Sequence, residues 1–119
     1  MTFDEFAEMA QRREVRVFGR PYPFETQSYV LGLLGDAGEV ADRITKIAGD
    51  VDGNISLSYR RAQDAVMYEL GDVLWYVNAI AVKLGRSLEE VARMNVEKLD
   101  NRERRGVIKG PGANTESVE

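Results

Sequence analysis

The feature that most constrains the fold is the spacing of apolar residues, which recur every three or four positions along most of the 119-residue chain. Such spacing puts apolar side chains on one face of an α-helix, whereas a half-buried β-strand would need strict alternation, which the sequence lacks. We therefore predict an all-α fold, a four- to five-helix bundle. A single helical domain is expected over residues 1–105, followed by a mobile tail over residues 106–119.

Capping residues and glycines mark the expected helix ends. Thr2 with Glu5, and Ser87 with Glu90, are capping boxes that would begin the first and fourth helices. We expect helices over residues 3 to about 15, about 30 to 49, 60 to 84 and 88 to about 106, with a loop at 49–58 that resembles a calcium loop only superficially. The expected inward-facing residues are Leu33, Ala37, Val40, Ile44, Leu70, Val73, Leu74, Val77, Leu88, Val91, Met94 and Leu99.

Composition excludes several kinds of chemistry. With no Cys and no His, the chain can form no disulfide, thiolate nucleophile, Cys/His zinc site or catalytic triad. The formal net charge of −4 disfavours binding to polymeric nucleic acid. The acidic start and the short apolar runs resemble neither a secretory signal nor a membrane span, so we expect a cytoplasmic protein without a membrane partner.

Two pairs of acidic residues are spaced to act together. Residues three apart on a helix lie about 60° apart around the axis and about 4.5 Å apart along it, so Asp36 projects with Glu39. The same holds for Glu69 and Asp72 on the next long helix. Both pairs flank the expected buried face. If the two helices pack antiparallel, the four carboxylates converge.

Four converging carboxylates repel one another, and a divalent cation would remove that cost. A site with only oxygen donors favours hard ions, Mg²⁺ or alternatively Mn²⁺, which bridge readily to substrate phosphates. Glycines at 32, 35 and 38 weaken the expected second helix, which carries Asp36 and Glu39, by about 0.5–1 kcal/mol each. Their presence indicates close approach of either a neighbouring helix or a ligand. Taken alone, each acidic pair would also fit a solvated helix face.

Three segments together carry a family resemblance: GLLGDAGEVAD at 32–42, ELGDVLWY at 69–76 and NVEKLDNRERRGVIKG at 95–110. In this order they resemble the MazG-like all-α nucleoside triphosphate pyrophosphohydrolases, whose pattern is an acidic E-E-x-x-E block followed by E-x-x-D. The resemblance covers about residues 25 to 110. It implies that Asp36, Glu39, Glu69 and Asp72 are Mg²⁺ ligands. Gly35 stands where the first Glu of the block often occurs, and Asp36 replaces a longer Glu.

The resemblance also implies the reaction. Family members cleave NTPs or dNTPs between the α and β phosphates, which releases a monophosphate and pyrophosphate. Magnesium would neutralise the triphosphate and orient a water for in-line attack, and Glu39 is the expected base. The alternatives are a dUTPase- or dCTPase-like enzyme of the same superfamily, or a non-catalytic helical adaptor.

Further residues would bind the nucleotide itself. Asn95 and Lys98 match the Asn and Lys positions of the family, and Arg102 follows on the same helix face, so all three are expected to contact phosphates. A solvated basic face is the alternative. Trp75 and Tyr76 beside Asp72 could stack on a base or belong to the core. Two-sided apolar helices and the resemblance both indicate a homodimer or homotetramer.

Overall fold

The computed structural model describes residues 1–48 and 59–106, and these residues form four α-helices and no β-strand. The all-α prediction is confirmed. The 49–58 loop and most of the expected tail lie outside the described residues. The chain divides into two compact units, Met1–Leu88 and Glu89–Glu119. The helices are α1 (Phe3–Phe18), α2 (Thr26–Ala48), α3 (Arg60–Lys83) and α4 (Leu88–Arg105).

The ends of α1 follow from its local sequence. The Glu5 backbone N–H donates to Thr2 Oγ1 at 3.1 Å, and the Thr2 N–H donates to Glu5 Oε2 at 2.7 Å, so the predicted capping box is present. The helix continues three residues beyond the expected Val15. It ends at Gly19, whose φ of 80° is a left-handed conformation that glycine adopts without strain.

α2 and α3 pack against each other in antiparallel order, which is the condition under which the two acidic pairs converge. Gly32 in the first half of α2 meets Tyr76 in the second half of α3, whereas Arg43 further along α2 meets Glu69, which precedes Tyr76 in α3. A Cβ on Gly32 would overlap the Tyr76 ring, so this glycine permits close helix approach. Gly35 has no described atom close to such a Cβ, and the same is true of Gly38.

The core of the first unit is small and partly polar. Tyr22 and Tyr29, from the α1–α2 connection and α2, enclose Ala79 of α3. Asn78 is fully buried, at 0% exposure, and its Nδ2 donates to Tyr22 Oη at 2.8 Å. Through this hydrogen bond to Tyr22, Asn78 anchors the α1–α2 connection to α3.

Several residues expected to face inward are exposed in the single chain. Leu70, for example, is 43% exposed. The physical reason is that α2 and α3 bury one face against each other, and one short chain has too little surface to cover a second apolar face. The exposed residues among those expected to be buried are Ala37, Ile44, Leu70, Val91, Met94 and Leu99.

By length and composition alone, α3 could cross a membrane, with a mean hydropathy of 1.2 over its most apolar window. The expectation that no segment could do so was therefore wrong on those two criteria. Core helices of soluble proteins meet the same criteria. Glu69 and Asp72 lie in the middle of α3, and carboxylates at such positions are costly inside a bilayer.

Candidate functional site

The antiparallel packing of α2 and α3 brings the two predicted acidic pairs together. The Glu39 and Glu69 side chains hydrogen-bond each other, which raises the pKa of Glu39, and the charges of Glu69, Asp36 and Asp72 raise it further. Burial raises the pKa of Asp36, as do the charges of Asp72 and Glu69. Asp36 and Glu39 of α2 therefore each experience the field of Glu69 and Asp72 of α3.

Arg43 balances part of this negative charge. Its Nε donates to Glu69 Oε1 at 3.2 Å, and the Glu69 side chain is only 13% exposed, whereas that of Arg43 is 53% exposed. This ion pair was not predicted from the sequence. The contact occupies one carboxylate oxygen of the acidic group, which consists of Asp36, Glu39, Glu69 and Asp72.

The donor set fits a hard divalent cation by its chemistry. Within residues 1–48 and 59–106, no three carboxylates are gathered closely enough to share one ion. Mutual repulsion favours such separation. It adds to the raised pKa values of Asp36, which is raised first by burial, and of Glu39, which is raised first by the hydrogen bond with Glu69. A bound cation would reverse the sign of this interaction and draw the side chains inward.

An open cavity of about 970 Å³ adjoins the acidic group, and Asp36 and Asp72 contribute to its wall. Its volume is in the range of small-molecule sites. The rest of the wall is largely aromatic, and Trp75 and Tyr76 form part of it, as would be needed for contact with a base. The other aromatic residues of the wall are Phe18, Phe24 and Tyr29.

The aromatic rings follow one another from α1 to α3. Phe18 and Phe24 are 5.0 Å apart between ring centroids, Phe24 and Tyr29 are 6.0 Å apart, and Tyr29 and Tyr76 are 6.4 Å apart. Tyr76 lies one helical turn after Asp72, so the series of rings ends beside the acids. Such edge-to-face and tilted contacts stabilise the wall in addition to the apolar area they bury.

Sequence reasoning missed the contribution of α1 to this cavity. Arg13, Glu14 and Val17 line it together with Phe18. A signal for Glu14 was present, because it occupies a position in the stripe Phe3, Ala7, Ala10, Glu14 and Val17 where an apolar residue would be expected. A carboxylate inside an apolar stripe indicates either a buried polar contact or a ligand.

The predicted phosphate-binding residues lie on α4, which belongs to the second unit from Glu89 onward. Asn95 is exposed, whereas Lys98 and Arg102 are partly buried. Their spacing of three and four residues gives them a common helix face. Their role in phosphate binding stays a prediction.

The described residues thus form an all-α protein in which two antiparallel helices carry four interacting carboxylates beside an aromatic cavity. A family model for the MazG nucleotide pyrophosphohydrolase domain matches residues 24–107. The chain therefore belongs to the MazG nucleotide pyrophosphohydrolase family, as the sequence motifs predicted. Enzymes of this family generally depend on divalent metal ions.

The chain also has a relative in Mycobacterium phage L5. The chain is 46% identical over 91 residues to the gene 37 protein of that phage, and the match covers 76% of this chain and 77% of the phage protein. The name of the relative states no activity. No solved structure was found to match the chain significantly.

Proposed function

We propose that the chain hydrolyses nucleoside or deoxynucleoside triphosphates to a nucleoside monophosphate and pyrophosphate in a Mg²⁺-dependent reaction. Such an activity would remove unwanted nucleotides or regulate the nucleotide pool. The observation that carries the proposal is the meeting of two acidic pairs, from α2 and α3, of which Asp36 and Asp72 line one aromatic cavity. Membership of the family supports the same reaction.

Each carboxylate has a role in this proposal. Asp36, Glu39, Glu69 and Asp72 would hold Mg²⁺, or Mn²⁺ in its place, and the cation would neutralise the triphosphate charge. A water oxygen bonds to the α phosphorus while the bond from that phosphorus to the α–β bridging oxygen breaks, and pyrophosphate leaves. Glu39 takes the proton of the water, because it is the exposed member of the α2 pair and its raised pKa makes its ionised form a stronger base than an ordinary carboxylate.

Cationic and aromatic residues would complete the nucleotide site. Trp75 and Tyr76 offer ring surface for the base in the cavity wall. On α4, Asn95, Lys98 and Arg102 would contact phosphate oxygens through charge-assisted and amide hydrogen bonds. All five assignments belong to the proposal.

We also propose that the protein is a homodimer or homotetramer. Large apolar side chains on α2 and α3 remain exposed in the single chain, and the most exposed of them are Leu31, Leu34, Met67 and Tyr68. Exposed apolar surface of this kind is typical of association between subunits.

The test measures pyrophosphate release from each NTP and dNTP with Mg²⁺, in the wild type, in Glu39→Gln and in Asp72→Asn. We expect each substitution to lower turnover at least about 100-fold, because a general base and a metal ligand each act in the transition state. Asp42→Asn is the matched control: it removes a charge from α2 as Glu39→Gln does, but Asp42 pairs with Lys46 at 2.8 Å and is not among the interacting carboxylates. It should retain turnover.

A binding measurement separates the enzyme from a non-catalytic adaptor. Mg²⁺ should raise the melting temperature of the wild type by binding the folded state, and should do so less in Glu39→Gln and Asp72→Asn. Equal melting temperatures with and without Mg²⁺, together with no turnover of any triphosphate, would favour the adaptor. Turnover restricted to dUTP or dCTP would favour the narrower enzymes of the superfamily.

A further inference from the structure

Glu14 is a buried carboxylate that the proposed reaction does not use. It lies on α1, it is 3% exposed, and its Oε2 has no hydrogen-bond partner. Burial raises its pKa, and a hydrogen bond from the Tyr22 backbone N–H opposes that rise. A buried acceptor without a donor is costly, and native structures rarely retain one without a reason.

The neighbours of Glu14 leave the acceptor unsatisfied. The Glu14 charge contributes to the raised pKa values of Tyr22 and Tyr29, so both phenols lie close to it. Tyr22 Oη accepts from Asn78 Nδ2 at 2.8 Å, and Tyr29 Oη accepts from the Phe24 backbone N–H at 3.4 Å. Each phenol keeps its own O–H hydrogen, but neither donates it to Glu14 Oε2. Within the described residues, no Lys or Arg forms an ion pair with Glu14. The environment therefore holds the carboxylate in place without supplying a donor to Oε2.

The same carboxylate forms part of the wall of the cavity that reaches Asp36 and Asp72. Phe18 is one helical turn beyond Glu14, and the series of rings from Phe18 through Phe24 and Tyr29 to Tyr76 leads toward the acidic group. A nucleotide whose phosphates lie at the acids would extend its base along these rings. Glu14 would then face the edge of the base.

We propose that Glu14 selects the base of the nucleotide by accepting hydrogen bonds from the amino and ring N–H groups of its edge. The inference rests on the proposed function. An ionised carboxylate is an acceptor only, so it fits an edge that carries donors. Guanine presents a ring N–H and an amino group side by side and fits best, whereas cytosine and adenine each offer one amino group. The two carbonyl oxygens beside the ring N–H of uracil and thymine would repel the carboxylate.

The experiment compares kcat/KM for the triphosphates of all five bases, and for inosine triphosphate, in the wild type and in Glu14→Gln. We expect the wild type to favour GTP over UTP and over inosine triphosphate, which lacks the amino group, by at least about tenfold. Glu14→Gln should reduce that preference mainly through KM. It should also raise kcat/KM for UTP, since the new amide can donate to a uracil carbonyl.

The gain for UTP is the decisive readout, because damage to the fold can only lower activity. Glu8→Gln is the matched control: it makes the same change on α1 at an exposed residue that pairs with Arg12 at 2.9 Å, and it should leave the order of substrates unchanged. If Glu14→Gln fails to fold, Glu14→Asp keeps the carboxylate and should keep the order of bases with weaker binding.

Calorimetric titration with GMP and UMP distinguishes failure of this inference from failure of the proposed function. Tighter binding of GMP that is lost in Glu14→Gln, without hydrolysis of any triphosphate, would support the base site and overturn the hydrolase. Hydrolysis with equal preference for all bases, or with a preference unchanged in Glu14→Gln, would overturn the role of Glu14 and leave the hydrolase standing.

Discussion

Two carboxylates, Glu39 of the acidic group and Glu14 in the cavity wall, both have raised pKa values, but the causes differ. At Glu39 the pKa rises first through a hydrogen bond with Glu69 and then through the charges of the other acids, and the side chain is exposed. At Glu14 the pKa rises through burial. One carboxylate is destabilised by its neighbours and the other by the loss of water.

The difference indicates which kind of ligand would relieve each carboxylate. A cation removes the repulsion among like charges, whereas a hydrogen-bond donor removes the cost of leaving a buried acceptor without a partner. A nucleotide bound with a divalent ion would supply both at once. One nucleotide could therefore satisfy both regions, with its metal-bound phosphates at the acidic group and a hydrogen-bond donor of its base at Glu14.

The largest effect on stability is expected where Gly32 of α2 packs against Tyr76 of α3. Gly32→Ala should lower the free energy of unfolding by about 1–3 kcal/mol, because the added Cβ overlaps the Tyr76 ring. Gly35→Ala, with open space around the added methyl group, should instead raise it by about 0.5–1 kcal/mol. Urea unfolding of both variants measures the contrast. Equal effects at the two positions would contradict the close packing of α2 on Tyr76.

An intermediate effect concerns pH. Because the pKa of Glu14 is raised above its ordinary value of 4.5, the folded protein binds the proton more tightly than the unfolded chain does. The free energy of unfolding should therefore fall as pH rises from 4.5 through the folded pKa. Glu14→Gln removes this titration, so its stability should fall less over the same range.

Saturating Mg²⁺ during these measurements should suppress the contribution of the acidic group but not that of Glu14. Urea unfolding between about pH 4 and about pH 8 gives the two curves, and Glu8→Gln serves as the control. Parallel curves for the wild type and Glu14→Gln would mean that burial does not dominate at Glu14.

The smallest effect is expected at the Arg43–Glu69 ion pair. Arg43 is half-exposed, so Arg43→Ala should lower the free energy of unfolding by less than about 1 kcal/mol, and salt should reduce the difference. The variant should also gain more from Mg²⁺ than the wild type, since the acids lose a compensating charge. Denaturation with Mg²⁺ and with EDTA tests both points. A loss above about 2 kcal/mol would show that the acidic region depends on this pair for its fold.

The sequence predicted the helices and the acidic pairs because both depend on local spacing. A period of three to four residues specifies a helix, and a separation of three puts Asp36 with Glu39 whatever the tertiary structure. Local spacing predicted burial less well. Leu70 and Ile44 follow the apolar period, yet both remain exposed, because burial depends on which surfaces a chain of this length can cover.

By itself, then, the sequence determined the all-α class, the two acidic pairs and the family to which the chain belongs. Only the tertiary structure decided that Glu14 is buried beside Tyr22 and Tyr29, that Tyr76 packs on Gly32, and that Arg43 pairs with Glu69. The physical reason is range: hydrogen-bonded turns and side-chain spacing act within a few residues, whereas these contacts join residues that are far apart in the chain and form only when the helices pack.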